Sequence, residues 1–321
     1  MLLIVLILLL MLSSEMPASS LPSEGSERLK LEKRTMTHGG LERTFNLYLP
    51  PSYDGKSEVP LLFLLHGGGG SGKRMVNFTG FDKQAVEHGF IIVCPDGFQH
   101  HWNDGRIGTS RAHKDNVDDV GFIAGLIDSL SKEFKIDKSR VYSTGISNGA
   151  MMSYRLALEL PDRIAAIGTV VGALPEPLSK KDWSGRPVPA IIINGTKDPL
   201  VPYEGGEVRL KMKKLGRVIS VPDTARFFAR HNRCGDTPKV SDFQLKSHKS
   251  GMKVSKTVYP NCANGADVEF YSIEGGGHSW PRDSFFVQYL PVAIIGRACR
   301  DFDGTELIWE FFTRHKIESQ K

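Results

Sequence analysis

Residues 144–153 read TGISNGAMMS, so Ser147 stands two positions after Gly145 and two before Gly149. A serine hydroxyl becomes a nucleophile only where the backbone presents it and a base takes its proton. Small residues on both sides permit a strand-to-helix turn so sharp that the chain before and after the serine nearly touches itself. The middle residue of such a turn holds a strained backbone angle. The N–H of the next residue, Asn148, then opens a helix and can donate to a developing oxyanion.

A base and an acid to orient it follow later. The run Ile191-Ile192-Ile193 leads through Asn194-Gly195-Thr196-Lys197 to Asp198, with Pro199 and Pro202 stiffening the loop beyond. The run from Val268 to Ile273 leads to Gly275-Gly276-Gly277 and then His278. Three glycines let the backbone fold tightly and carry an imidazole toward a sheet edge. Ser, Asp, His is therefore the order, with each residue just past an apolar run. A second glycine run, Gly67 to Gly70 after Leu64-Leu65-His66, offers backbone amides for the other half of an oxyanion site.

Each residue also has a plainer use. Ser147 could cap a helix, Asp198 a turn, and His278 could be one structural histidine among ten. The glycine run could cradle phosphate, since Gly67 and Gly72 have the interval of a nucleotide loop and Lys73 follows. Arg74, however, replaces the Ser or Thr that would hold magnesium, and that reading leaves the serine turn unexplained. The agreement of order and position favours acyl transfer by Ser147, Asp198 and His278.

These residues need a scaffold of buried strands and covering helices. Short apolar runs occur at 60–65, 90–94, 140–143, 164–171, 190–193 and 268–273. Runs of this kind suit strands buried on both faces of a parallel sheet. Between them lie helical periods at 118–134, 148–160 and 303–315, the first with Asp118 or Asp119 placed to cap it. The alternation predicts an α/β, doubly wound, mostly parallel sheet. Leu41 to Leu49 reads as an arm of an antiparallel hairpin. The stretch 204–262, richer in charge and glycine, reads as an excursion over the sheet before the last strand.

The 321 residues carry 41 basic and 36 acidic side chains, a net charge of +5. The basic residues form no dense run, which argues against nucleic acid as a partner. The first twelve residues are all apolar and are followed by SSEMPASS. That is too short to span a membrane and fits a secretory leader of a secreted or periplasmic protein, cleaved near Ala18 to Ser20, with a plain membrane anchor or a misplaced start codon as the other readings. The expected organisation is a signal peptide at 1–20, a solvated linker at 21–36 and one catalytic domain at 37–317. No stable membrane span is expected after cleavage. Export makes disulfides possible, and Cys94, Cys234, Cys262 and Cys299 allow three pairings.

The stretches LLHGGGGSG (64–72), HWNDGR (101–106), DDVGFI (118–123), RVYSTGISNGAMMSYRLALELPDRIAA (140–166), INGTKDPLVPYEGG (193–206), GGGHSWP (275–281) and TELIWEFF (305–312) resemble the polyhydroxybutyrate depolymerase and feruloyl esterase group of α/β-hydrolases. The resemblance spans roughly residues 40 to 315. It implies Ser147 as nucleophile, His278 as base and Asp198 as orienting acid. It implies an oxyanion site from the backbone N–H groups of Asn148 and Gly68, and a disulfide between Cys234 and Cys262. It implies a secreted esterase with no metal or organic cofactor, acting on feruloyl or acetyl esters of polysaccharide or on short polyhydroxyalkanoate esters. Trp102 and Trp280 are the candidates for stacking on substrate, or else loop tryptophans packed in their own domain. A peptidase of the same fold and an inactive binding module are the competing readings, the latter disfavoured because no member of the Ser, Asp, His set is missing.

Overall fold

The computed structural model describes residues 30–289 and 291–318; the expected leader lies outside them. The strands are β1 (Lys30–His38), β2 (Leu41–Leu49), β3 (Val59–Leu65), β4 (Ile91–Pro95), β5 (Ile136–Ile146), β6 (Ala166–Val170), β7 (Ala190–Gly195), β8 (Gly206–Leu210), β9 (Lys213–Val218), β10 (Lys239–Asp242), β11 (Val254–Tyr259) and β12 (Val268–Ile273). The longer helices are α1 (Phe81–His88), α2 (Asp119–Glu133), α3 (Asn148–Glu159), α4 (Val221–His231) and α5 (Gly304–Thr313).

Ten strands form one sheet in the order β1-β2-β4-β3-β5-β6-β7-β12-β11-β10. The six from β4 to β12 run parallel, and antiparallel strands close both ends. Leu61 to Leu65 of β3 and Ala190 to Ile193 of β7 are wholly buried, as near-continuous apolar runs in a two-sided sheet must be. The α/β, mostly parallel sheet expected from the alternation is the one observed, in the α/β-hydrolase arrangement that the resemblance implies.

Side chains alternate across the pleat and so divide the apolar runs between two cores. One core holds Leu61, Phe63 and Leu65 against α2, α3 and α4. The other holds Leu62 and Leu64 against α1 and α5. On this second face α5 brings an aromatic stack, with Trp309 lying 3.8 Å from Phe90 and Phe312 4.7 Å from Tyr142. The cap expected at Asp118 is present, and Ser220 caps α4, a helix not expected from the sequence. Asp118 accepts from the Gly121 N–H at 2.8 Å before α2, and Ser220 from the Asp223 N–H at 3.0 Å before α4.

Two expectations are corrected. Residues 30–36, expected in a linker, lie in β1, which pairs along all nine residues with β2. The alternating side chains of β1 had been outweighed by its high charge, which an edge strand tolerates. The stretch 204–262 does not simply pass over the sheet. It carries the β8–β9 hairpin and α4, then returns as β10 and β11 to extend the sheet beyond β12. Cys234, just after α4, is bonded to Cys262, just before β12, so a disulfide brackets that return. Cys94 and Cys299 are unpaired and buried.

The turn from β5 into α3 sits against the end of β3. A methyl group on Gly145 would stand 2.6 Å from the Gly149 carbonyl carbon. One on Gly149 would stand 2.4 Å from the Leu65 oxygen and 2.6 Å from the His66 oxygen. All of these obstacles are backbone, so they cannot swing aside. Gly149→Ala is therefore expected to destabilise the chain by ~1–3 kcal/mol, as overpacked sites do. The midpoint of urea unfolding measures it, and an unchanged midpoint would refute the close approach.

Candidate active site

Ser147 lies at the carboxyl end of β5 with φ 57° and ψ −119°, a conformation that non-glycine residues seldom adopt. Its N–H donates to the Val170 carbonyl at 2.9 Å and its carbonyl accepts from the Met151 N–H at 3.0 Å. The strained turn is thus held from both sides, by β6 and by the first turn of α3.

Asp198 follows β7 by three residues. Its side chain has no exposed surface, and Oδ1 accepts from the N–H groups of Leu200 and Val201 at 2.8 and 2.9 Å. Oδ2 lies 2.7 Å from Nδ1 of His278. A carboxylate can only accept, so Nδ1 carries the proton, and in the neutral ring that leaves the lone pair on Nε2. The His278 side chain is 9% exposed.

The loop carrying His278 is fixed by close backbone contacts. A methyl on Gly195 would meet the Gly276 oxygen at 2.2 Å, and one on Gly277 the Ile295 oxygen at 2.2 Å. The His278 N–H donates to the Ile295 carbonyl at 2.5 Å, and the Gly277 N–H to the Arg297 carbonyl at 2.7 Å. Residues 295–297 therefore seat the histidine loop, a role sequence reasoning did not assign. Their only signal was Gly296, which takes φ 74°.

The glycine run after β3 reaches the same place. A methyl on Gly67 would lie 3.4 Å from Cβ of Ser147, and one on Gly68 3.8 Å from Cβ of Asn148. His66 sets this loop. Its Nε2 accepts from the Gly97 N–H at 2.9 Å, which leaves Nδ1 protonated to donate to the Gly67 carbonyl at 2.7 Å. The Gly70 N–H donates to that carbonyl as well, at 3.0 Å. In a trans peptide the N–H points opposite to the carbonyl, so the Gly68 N–H is turned away from His66. Burial lowers the pKa of His66 to about 4, which keeps the ring neutral and this tautomer in place.

Asn148 is clamped through its side chain. Oδ1 accepts from the Trp102 N–H at 2.8 Å, while Nδ2 donates to the Trp102 carbonyl at 3.1 Å and to Asp104 at 2.5 Å. Asp104 is fully buried and also receives Arg106 at 2.7 Å and His113 at 2.9 Å. Burial alone would raise its pKa, but the charge of Arg106 and the bond from His113 outweigh it and hold the carboxyl well below its usual range. Asp104 was missed in the sequence because nothing in HWNDGR distinguishes a buried anion from a loop aspartate.

The two tryptophans proposed for substrate stacking are corrected. Both have no exposed surface. Trp102 donates its indole N–H to the His66 carbonyl at 2.9 Å, and Trp280 donates to Thr305 Oγ1 at 2.9 Å while packing edge-on to Phe81. They support the loops from within. Among the described residues no hydrogen bond joins the Ser147 hydroxyl to the His278 ring; such bonds often tighten only when substrate arrives. No group of metal-binding side chains occurs among the described residues, and none of their helices is long and apolar enough to cross a membrane.

Residues 43–178 match the family model described as Esterase PHB depolymerase. That span includes Gly67, Gly68, Ser147 and Asn148 and ends before Asp198 and His278. NocK from Nocardia uniformis subsp. tsuyamanensis is 29% identical over 285 residues, which cover 87% of this chain and 81% of NocK. Feruloyl esterase B from Piromyces equi is 28% identical over 72% of this chain, which spans only 41% of that protein. Among solved structures, the acetyl xylan esterase from Aspergillus awamori superposes with a TM-score of 0.56 at 15% identity, covering 78% of this chain and 94% of the other, a likeness of fold. The chain is similar to the polyhydroxybutyrate depolymerase and feruloyl esterase group, has the fold of the α/β-hydrolases and is a carboxylic ester hydrolase.

Proposed function

We propose that Ser147, His278 and Asp198 form the catalytic triad of a secreted esterase acting on feruloyl or acetyl esters of polysaccharide or on short hydroxyalkanoate esters. The observation that supports it most is the buried Asp198 carboxylate bonded to His278 Nδ1, at the same carboxyl end of the parallel sheet as the strained Ser147 turn. Nε2 of His278 takes the Ser147 proton as Oγ attacks the ester carbonyl. The tetrahedral oxygen is held by the N–H groups of Asn148 and Gly68, neither of which donates to another group among the described residues. The imidazolium, stabilised by Asp198, returns its proton to the leaving alcohol. Water, activated by the same ring, then releases the acid. The reaction needs no metal or organic cofactor.

Secretion is supported by the apolar leader in the sequence and by the Cys234–Cys262 disulfide, a bond that persists in oxidising compartments. The polysaccharide reading draws on what the relatives named above are called, and the chemistry of the site itself accepts any unhindered ester.

Ser147→Ala, assayed beside the wild type on p-nitrophenyl acetate, methyl ferulate, acetylated xylan and a hydroxybutyrate oligomer, is expected to lose at least ~10³-fold in kcat. Equal rates would remove Ser147 from the chemistry, and failure of the wild type on every ester would favour a binding module. Asp104→Ala strands the Arg106 guanidinium in the interior, where breaking a buried pair costs ~3–5 kcal/mol. The urea midpoint is expected to fall accordingly, and kcat to fall with it at temperatures where the variant remains folded, because Asn148 loses one of its anchors.

A further inference from the structure

Two depressions of about 410 Å³ each lie outside the catalytic residues and meet at Lys181, which lines both. The first runs from the 105–108 loop along the last turns of α3, past Arg106 and Arg155. The second lies between Trp183 and the end of α4, where Phe227 and Arg230 face it.

Their charge is one-sided. Lys114, Lys181, Arg230 and Arg233 are exposed on the lining. Among the described residues none of these four has a carboxylate within 4.0 Å. Of the acids in the lining, Glu159 is already taken by Arg155, which leaves Asp182. Two rings accompany the cations. Trp183 is pinned by its indole N–H to the Leu178 carbonyl at 2.9 Å, with Lys181 Nζ 5.5 Å from the ring centre. Phe227 stacks on His231.

The furrow has a direction. At one end stands the loop whose Asp104 clasps Asn148. It then passes the last turn of α3 at Arg155 and Glu159 and continues by Lys181 to Trp183 and the end of α4. Cations spread along such a path do not converge on one small anion. They suit an extended chain carrying separated negative charges, and the two rings suit the flat faces of sugars. Nucleic acid would call for a denser basic track.

We propose that this furrow holds the backbone of an acidic, uronate-bearing polysaccharide, so that esters on the same chain are presented near Ser147. The proposal deepens the esterase reading and rests on it. The test is native-gel retardation of the full chain in gels containing polygalacturonate, neutral arabinoxylan or single-stranded DNA. Three proteins are compared: the wild type, Lys181→Ala/Arg230→Ala/Arg233→Ala, and a control of equal charge change on other surfaces, Lys56→Ala/Lys83→Ala/Lys239→Ala. Polygalacturonate is expected to retard the wild type and the control, with at least ten-fold weaker affinity in the furrow variant. All three are expected to hydrolyse p-nitrophenyl acetate equally. Equal retardation by arabinoxylan, tighter binding of DNA, or equal loss in the control variant would overturn the proposal. Failure of the esterase reading shows separately, as p-nitrophenyl acetate turnover that survives Ser147→Ala.

Discussion

The structure turns on a contact between backbones with no side chains between them. The turn from β5 into α3 crosses the end of β3 so closely that Gly145 and Gly149 have backbone atoms where a methyl group would go. This contact locks the strain at Ser147 into the fold. A left-handed angle at a serine costs on the order of 1–3 kcal/mol and persists only where its surroundings over-determine it. Here β6 holds the N–H, the helix holds the carbonyl and β3 blocks retreat. The same principle recurs at the histidine loop, where Gly195 against Gly276 and Gly277 against Ile295 leave no room for side chains. Glycine in this chain sets distances between strand ends more than it supplies flexibility.

Around that contact the protein links buried polar groups through shared hydrogen bonds. His66 connects the glycine loop to Gly97, Trp102 connects His66 to Asn148, and Asp104 connects Asn148 to Arg106 and His113. A buried anion is tolerable because the Arg106 guanidinium, the His113 ring and an amide share it. The consequence is a stiff wall on one side of the proposed nucleophile, in which His66, Trp102 and Asp104 stand behind the backbone groups that face it. The fully buried Trp102 belongs to this wall, which explains why an aromatic beside the site is not available for stacking.

The ends of the parallel sheet have different characters. The carboxyl ends collect Ser147, Asp198 and His278 with short, glycine-shaped loops. The flank along α3 and α4 collects unpaired cations and half-buried rings. Acyl chemistry asks for a rigid, dry site with few charges. Holding an extended chain asks for a long, wet surface with many. The fold separates the two demands and joins them through the loop at residues 102–108.

Much of this was legible in the sequence. The elbow, the order Ser, Asp, His, and the six parallel strands are local patterns, each written in a few neighbouring residues, and the glycine spacing is a direct imprint of close backbone approach. Other features were not local. The charged residues 30–36 became a strand only because β2 offered an edge to pair with. β10 and β11 have weak apolar signals and were recruited by the free edge of β12. Whether a tryptophan faces solvent or core, and whether an aspartate is a loop residue or the buried anion that anchors Asn148, depends on what distant parts of the chain bring to it. Sequence by itself determined which groups could react and which strands would present them, since those follow from short-range sterics and periodicity. Tertiary structure alone decided which side chains stand behind them, because burial and ion pairing are settled only when distant segments meet.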